Sequence, residues 1–127
     1  MREFYYNNNE LWCEQISIRK ITEKFGTPLY LYSKQSIIDH CRHIEKGFGS
    51  TDHLTCYAVK ANSNRTILSI IAKEGIGCDV GSAGELQLAL DGGFAPDRMT
   101  YSGVGKRPDE IEFALQRNIL AFNVESE

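Results

Sequence analysis

Apolar residues follow two alternating rhythms in the second half of the chain. Short β-prone runs recur at near-equal steps: Thr55-Cys56-Tyr57-Ala58-Val59, Cys78-Asp79-Val80, Met99-Thr100-Tyr101-Ser102 and Ala121-Phe122-Asn123-Val124. Between them, apolar positions repeat with helical spacing at Ile67, Leu68, Ile70 and Ile71, at Leu86, Ala89 and Leu90, and at Ile111, Ala114 and Leu115. Strands alternating with single helices predict βαβ units, a parallel sheet and right-handed crossovers.

The helix ends are marked by residues that satisfy free backbone groups. Ser63 or Asn64 caps the first helix and Gly75 stops it. Ser82-Ala83-Gly84-Glu85 has the spacing of a capping box, and Gly92-Gly93 ends the second helix. Pro108 suits the first turn of the third, Asp109 and Glu110 favour its positive end, and Asn118 is its expected stop. The first half is less regular. Ile16-Ser17-Ile18 reads as a short strand, Thr22-Glu23-Lys24-Phe25 as a helix ending at Gly26, and Pro28-Leu29-Tyr30-Leu31-Tyr32 as a strand. Ser33 then caps a helix reaching Phe48, with Ile37, Ile38, Cys41 and Ile44 expected to face inward.

Four βα-type units do not close a barrel, which needs eight strands and typically ~250 residues. The pattern fits either a small open doubly wound sheet or the front half of a larger (β/α)8 barrel. The chain of 127 residues ends at Val124-Glu125-Ser126-Glu127, directly after an apolar strand with no helix to cover it. That stop favours part of a larger architecture.

Composition narrows the function classes. The hydrophobic content of 42% and charged content of 24% are those of an ordinary globular chain, and the net charge of −3 gives no basic footprint for nucleic acid. No stretch approaches the roughly 20 apolar residues of a membrane span. The N-terminus has no apolar signal-peptide core, so a cytoplasmic location is expected. Of the four cysteines, Cys13, Cys41, Cys56 and Cys78, none forms a C-x-x-C pair. Cys56 and Cys78 lie in apolar runs and read as buried free thiols. His40 and His43 share a helix face without a third ligand nearby, so a solvated face is expected and no metal site.

In parallel βα architectures, chemistry collects where strands end and helices begin. Lys60 stands there, after Tyr57-Ala58-Val59. A lysine drawn partly out of water at a strand mouth is a nucleophile suited to Schiff-base formation; a lysine snorkelling to solvent fits the same position. Asp79, inside the second strand, either orients the Lys60 ammonium or caps the following turn. Glu85 occupies the fourth position of the capping box and also lies at the strand mouth. Tyr101-Ser102-Gly103-Val104-Gly105-Lys106 is either an anion-binding loop or a tight connection, and it lacks the Walker spacing.

Tyr57-Ala58-Val59-Lys60-Ala61-Asn62 resembles the cofactor-lysine motif of the fold-type III pyridoxal-phosphate (PLP) decarboxylases, relatives of alanine racemase. The resemblance continues in order through Gly77-Cys78-Asp79-Val80-Gly81-Ser82-Ala83-Gly84-Glu85-Leu86, Ser102-Gly103-Val104-Gly105-Lys106 and Phe122-Asn123-Val124-Glu125-Ser126, with Gly26-Thr27-Pro28-Leu29-Tyr30-Leu31-Tyr32 as the entry segment. It implies an α/β fold, the first half of a PLP-binding (β/α)8 (TIM) barrel. Residues 33–127 would supply its first four βα-type units, and residues 1–32 would belong partly to a β domain. Lys60 would bind the cofactor covalently, Asp79 and Glu85 would lie near that lysine, and Ala58 would be the small residue beside the cofactor. The likeness favours the branch that decarboxylates meso-2,6-diaminopimelate to L-lysine, usually as a homodimer.

Several parts of the family's site have no counterpart here: the histidine that stacks on the ring, the phosphate loop, the acid partner of the pyridine nitrogen, the Glu-Pro-Gly-Arg segment, and the C-terminal cysteine and tyrosine. The chain alone is therefore expected to be inactive. Competing readings are an ornithine, arginine or carboxynorspermidine decarboxylase, a racemase, a non-catalytic PLP-binding homologue, and a small open-sheet binding domain without cofactor.

Overall fold

A computed structural model describes residues 3–126. The chain divides into two compact units, Met1–His40 and Cys41–Glu127.

The first unit opens with a hairpin. Strands β1 (Phe4–Asn7) and β2 (Glu10–Cys13) pair antiparallel, with Asn7 opposite Glu10. The two-residue loop is Asn8-Asn9, with φ of 50° and 59°. Asparagine tolerates that left-handed backbone, and a type I′ turn requires it twice. Strand β3 (Ile16–Ser17) pairs with β2 and leads directly into α1 (Ile18–Phe25), which Gly26 ends at φ 77°. The segment expected as a strand at Pro28–Tyr32 lies outside any sheet among the described residues, with Tyr30 90% exposed. Its apolar side chains suit a strand, but a strand without a neighbour gains no ladder bonds.

Helix α2 (Lys34–Phe48) starts where Ser33 was expected to cap it: Ser33 Oγ accepts the Ser36 N–H at 3.0 Å. Glu14 adds to this cap. Its Oε1 accepts from Ser33 Oγ at 2.7 Å and from the Gln35 N–H at 2.9 Å. The Gln35 amide, and then the Ser33 hydroxyl, hold the Glu14 carboxyl below the usual range. A depressed folded-state pKa stabilises above the unfolded pKa, and the benefit is lost as pH falls through the folded value. Glu14→Gln is therefore expected to lower the thermal midpoint at neutral pH, with the gap to wild type closing in acid. A gap that stays constant from pH 7 down to pH 3 contradicts this. Along the rest of α2, Ile37, Ile38 and Cys41 are half-buried, but Ile44 is 46% exposed and does not face inward as expected. An apolar stripe is buried only where another element lies against it.

The second unit holds four parallel strands: β4 (Cys56–Ala58), β5 (Gly77–Val80), β6 (Met99–Tyr101) and β7 (Ala121–Phe122). Their order in the sheet is their order in the chain. Helix α3 (Arg65–Lys73) is capped by Asn64, whose Oδ1 accepts from Thr66 N at 3.0 Å. Helix α4 (Ala83–Gly92) is capped by Ser82 and ends at Gly93, with φ 96°. Helix α5 (Pro108–Leu115) is followed by Asn118 at φ 54°, the stop that the sequence suggested.

Strand alternation sorts the sheet into two faces. Cys78 and Val80 of β5 are in register with Met99 and Tyr101 of β6, and all four are at most 1% exposed. They are buried together with Leu68 and Ile71 of α3, Leu86 and Ala89 of α4 and Ala114 of α5. Complete burial of Leu68 and of Leu86 contributes about 2 kcal/mol each. Gly92 lets α4 approach α3, since a Cβ there would stand 2.7 Å from the Leu68 Cβ. Asp79 and Thr100, on the opposite face, are only half-buried. A doubly wound sheet reverses its strand order and carries helices on both faces. Sequential order with one covered face is instead the winding of a β/α barrel.

Candidate functional site

The carboxyl ends of β4 to β7 gather the residues singled out in the sequence. On the uncovered face the register runs from Ala58 to Asp79, from Asp79 to Thr100 and from Thr100 to Ala121. These four positions form one layer across the sheet. Gly81, Ser102 and Asn123 follow two residues further along their chains.

Lys60 lies just beyond Ala58, in a 3-10 turn over Val59–Ala61. Val59 is fully buried and anchors the turn. The Tyr57 hydroxyl donates to the Asn62 carbonyl at 3.1 Å, and Asn62 Oδ1 accepts from Asn64 N at 3.0 Å. The loop backbone is thus tied down, while the Lys60 side chain has no hydrogen bond or ion pair among the described residues. Lys60 is exposed, as in the alternative of a lysine that reaches solvent from a strand end. The helices cover the other face of the sheet, and the 3-10 turn begins as soon as β4 ends.

Asp79 is held from β6. Its Oδ1 accepts from Thr100 Oγ1 at 2.7 Å and from Ser102 Oγ at 2.5 Å, and Asn123 Nδ2 donates to Ser102 Oγ at 2.7 Å. Glu85 caps locally: the Gly81 N–H donates to its Oε2 at 2.7 Å, while its own N–H donates to Ser82 Oγ at 3.2 Å. The expected box is therefore present with its return bond shifted one residue, to Gly81. That bond fixes the Gly81 backbone beside the Ser102 layer.

Two further groups brace the strand mouths. Glu110 accepts from Ala83 N at 3.0 Å and from Arg107 N at 3.2 Å, so one carboxylate serves the starts of both α4 and α5. Those donors lower its pKa. Burial, followed by the Glu110 charge, pushes the Tyr101 phenol up to about 12, and its ring stacks on Phe122 at 5.7 Å. Lys106, whose side chain is only 9% exposed, donates to the carbonyls of Gly103 and Asn123 and pairs with Glu125 at 3.2 Å. The glycine-rich loop thus uses its lysine to tie itself to the β7 exit, which favours the connecting role over anion binding.

Among the described residues no group of three His, Cys, Asp or Glu could hold a metal ion. No described helix is long and apolar enough to cross a membrane. All four cysteines are free thiols. Burial pushes Cys78 up to about 12, which makes it an inert core residue.

The carboxyl ends of the strands thus bring together a lysine just past β4, an acid on β5 and a second acid in the first turn of α4, on a sheet covered by helices on its other face. The chain belongs to the family described as pyridoxal-dependent decarboxylase, pyridoxal binding domain, which it matches over residues 34–127. It is similar to the diaminopimelate decarboxylase of Vibrio cholerae, with 44% identity over 123 residues, covering 97% of this chain and 30% of that protein. Among solved structures it resembles diaminopimelate decarboxylase of M. jannaschii in complex with L-lysine, at TM-score 0.90 and 34% identity, over 98% of this chain and 30% of the other. The Helicobacter pylori diaminopimelate decarboxylase with L-lysine aligns at TM-score 0.83 and 44% identity, over 86% of this chain and 28% of the other. The chain thus spans about 30% of the length of the curated relatives it matches.

Proposed function

We propose that this chain carries the cofactor-lysine portion of a PLP-dependent decarboxylase that converts meso-2,6-diaminopimelate to L-lysine and CO2. The observation that carries the reading is the match to diaminopimelate decarboxylases along nearly the whole chain, with Lys60 and Asp79 on adjoining strand ends. L-lysine, the product of that reaction, is the molecule bound in two of the similar structures.

The residues present fit the group. Lys60 offers an amine with no partner among the described residues, at the open end of the sheet. Ala58, in register with Asp79, leaves the layer beneath it without a bulky side chain. When bound, pyridoxal phosphate supplies an electron sink for the pair left on the substrate carbon as CO2 departs. Lys60 would hold the cofactor and surrender it to the substrate amine. Asp79 and Glu85 would provide negative charge beside the Lys60 amine, with Glu85 acting through the loop it fixes at Gly81. In this reading residues 1–32 belong partly to a β domain and residues 33–127 to the barrel. The enzyme works as a cytoplasmic homodimer.

The test is covalent labelling. The chain is incubated with pyridoxal phosphate, condensation releases water, and borohydride supplies the hydride that fixes the link. Peptide mapping is expected to find Lys60 labelled ahead of the other lysines; equal labelling of all lysines overturns the assignment. Incubated alone with pyridoxal phosphate and meso-diaminopimelate, the chain is expected to release no CO2. Clear turnover would show that the residues at hand suffice.

A further inference from the structure

Asp79 is the one acid of the open layer whose position is fixed by side chains from a neighbouring strand, and the polarity of that arrangement is forced. Asn123 Nδ2 can only donate and an ionised carboxylate can only accept. Ser102 therefore accepts from Asn123 at 2.7 Å and spends its single proton on Asp79 Oδ1 at 2.5 Å. Thr100 adds a second donor to the same oxygen at 2.7 Å. Oδ1 is fully engaged, while Oδ2 takes no hydrogen bond from the described residues. The parallel register makes this possible. Thr100 stands opposite Asp79, and Ser102, two residues on, returns to the same face. Lys60 lies two residues beyond Ala58, which is itself opposite Asp79.

We infer that Thr100 and Ser102 are positioning residues for Asp79: they clamp one carboxylate oxygen and leave the other as a fixed, charged acceptor at the sheet end that carries Lys60. Asn123 sets the direction of the chain by orienting Ser102. The inference rests on the proposed role of Lys60 and extends it to residues that touch neither the lysine nor a cofactor. A carboxylate oxygen that takes two hydroxyl donors is held in one orientation, and a chain of such bonds is stronger than its separate members. An acid free to rotate on a half-covered face would present no fixed acceptor at that end of the sheet.

The probe is pyridoxal phosphate itself, with borohydride fixation and the label on Lys60 measured as a ratio to the label on the other lysines of the same chain. In wild type, Lys60 leads. Asp79→Asn keeps the acceptor geometry without the charge, and its lead is expected to fall about tenfold. Thr100→Val with Ser102→Ala is expected to fall by a similar factor. Thr100→Ser with Ser102→Thr keeps both hydroxyls and is expected to keep the lead. Ser102→Ala alone, at a half-buried position, gives a smaller drop in a chain that circular dichroism shows to be folded.

An undiminished Lys60 lead in the Thr100→Val, Ser102→Ala chain or in Asp79→Asn overturns the inference, and so does a loss in the hydroxyl-keeping pair as deep as in the double variant. A wild-type chain in which Lys60 has no lead overturns the proposed function, and the inference with it. That failure is read from the unmutated protein alone, so the two failures are distinct.

Discussion

Gly77→Ala is expected to destabilise the unit Cys41–Glu127 by about 3 kcal/mol, at the upper end of the cost of overpacking a core. Gly77 opens β5, and a Cβ built there would stand 2.4 Å from the Arg98 carbonyl oxygen, 3.1 Å from Leu54 Cδ1 and 3.2 Å from Cys56 Sγ. The nearest atom is backbone, so no rotamer change can yield the space. Either β6 moves away from β5, at the cost of ladder bonds, or the entry to β5 shifts and its register with β4 suffers. Urea unfolding followed by circular dichroism measures the change. A midpoint within error of wild type would mean that the turn before Met99 gives way freely.

Lys60→Ala is expected to do the opposite: to leave stability within about 0.5 kcal/mol of wild type, as exposed substitutions do, while abolishing preferential labelling by pyridoxal phosphate. Lys60 is exposed and has no hydrogen bond among the described residues, so the fold loses nothing when it goes. Lys60→Arg is expected to fail equally. A guanidinium keeps the charge but remains protonated and cannot condense with an aldehyde. The measurement is the mass of the borohydride-treated chain together with its urea midpoint. Undiminished label on one principal site in Lys60→Ala would transfer the assignment to another lysine.

The sequence made the second unit more legible than the first, for a physical reason. The strands β4 to β7 and the helices α3 to α5 announce themselves through local signals: apolar period, an Asn64 or Ser82 cap, a stop at Gly93 or Asn118. Each is decided within a few residues of itself. Pro28–Tyr32 carries strand chemistry but pairs with nothing among the described residues. The hairpin of β1 and β2 has a local signal of its own: Asn8-Asn9 is a pair suited to left-handed backbone, between the β-prone runs Phe4-Tyr5-Tyr6 and Leu11-Trp12-Cys13.

The same division holds at the candidate site. Lys60, Asp79 and Glu85 could be placed at or near strand mouths from chain order, whereas Ala58 entered only through the family resemblance. The partners of Asp79 could not, because Thr100 and Ser102 reach it only through the register between β5 and β6. Glu110 was legible as a residue suited to a helix start. That it also serves the start of α4 depends on two helices beginning side by side.

The sequential order of β4 to β7 bears on how the molecule is made. Each strand pairs with the one that precedes it in the chain, separated by a single helix. Among the described residues the sheet pairs no strands remote from each other in the chain, so one crossover closes at a time. A growing polypeptide leaving the ribosome can add one strand and one helix at a time to a template already formed. Each parallel pairing still waits for its crossover to close, so such a sheet forms more slowly than a hairpin does. The polar positions Asp79 and Thr100 keep the uncovered face from being a continuous apolar surface during that assembly.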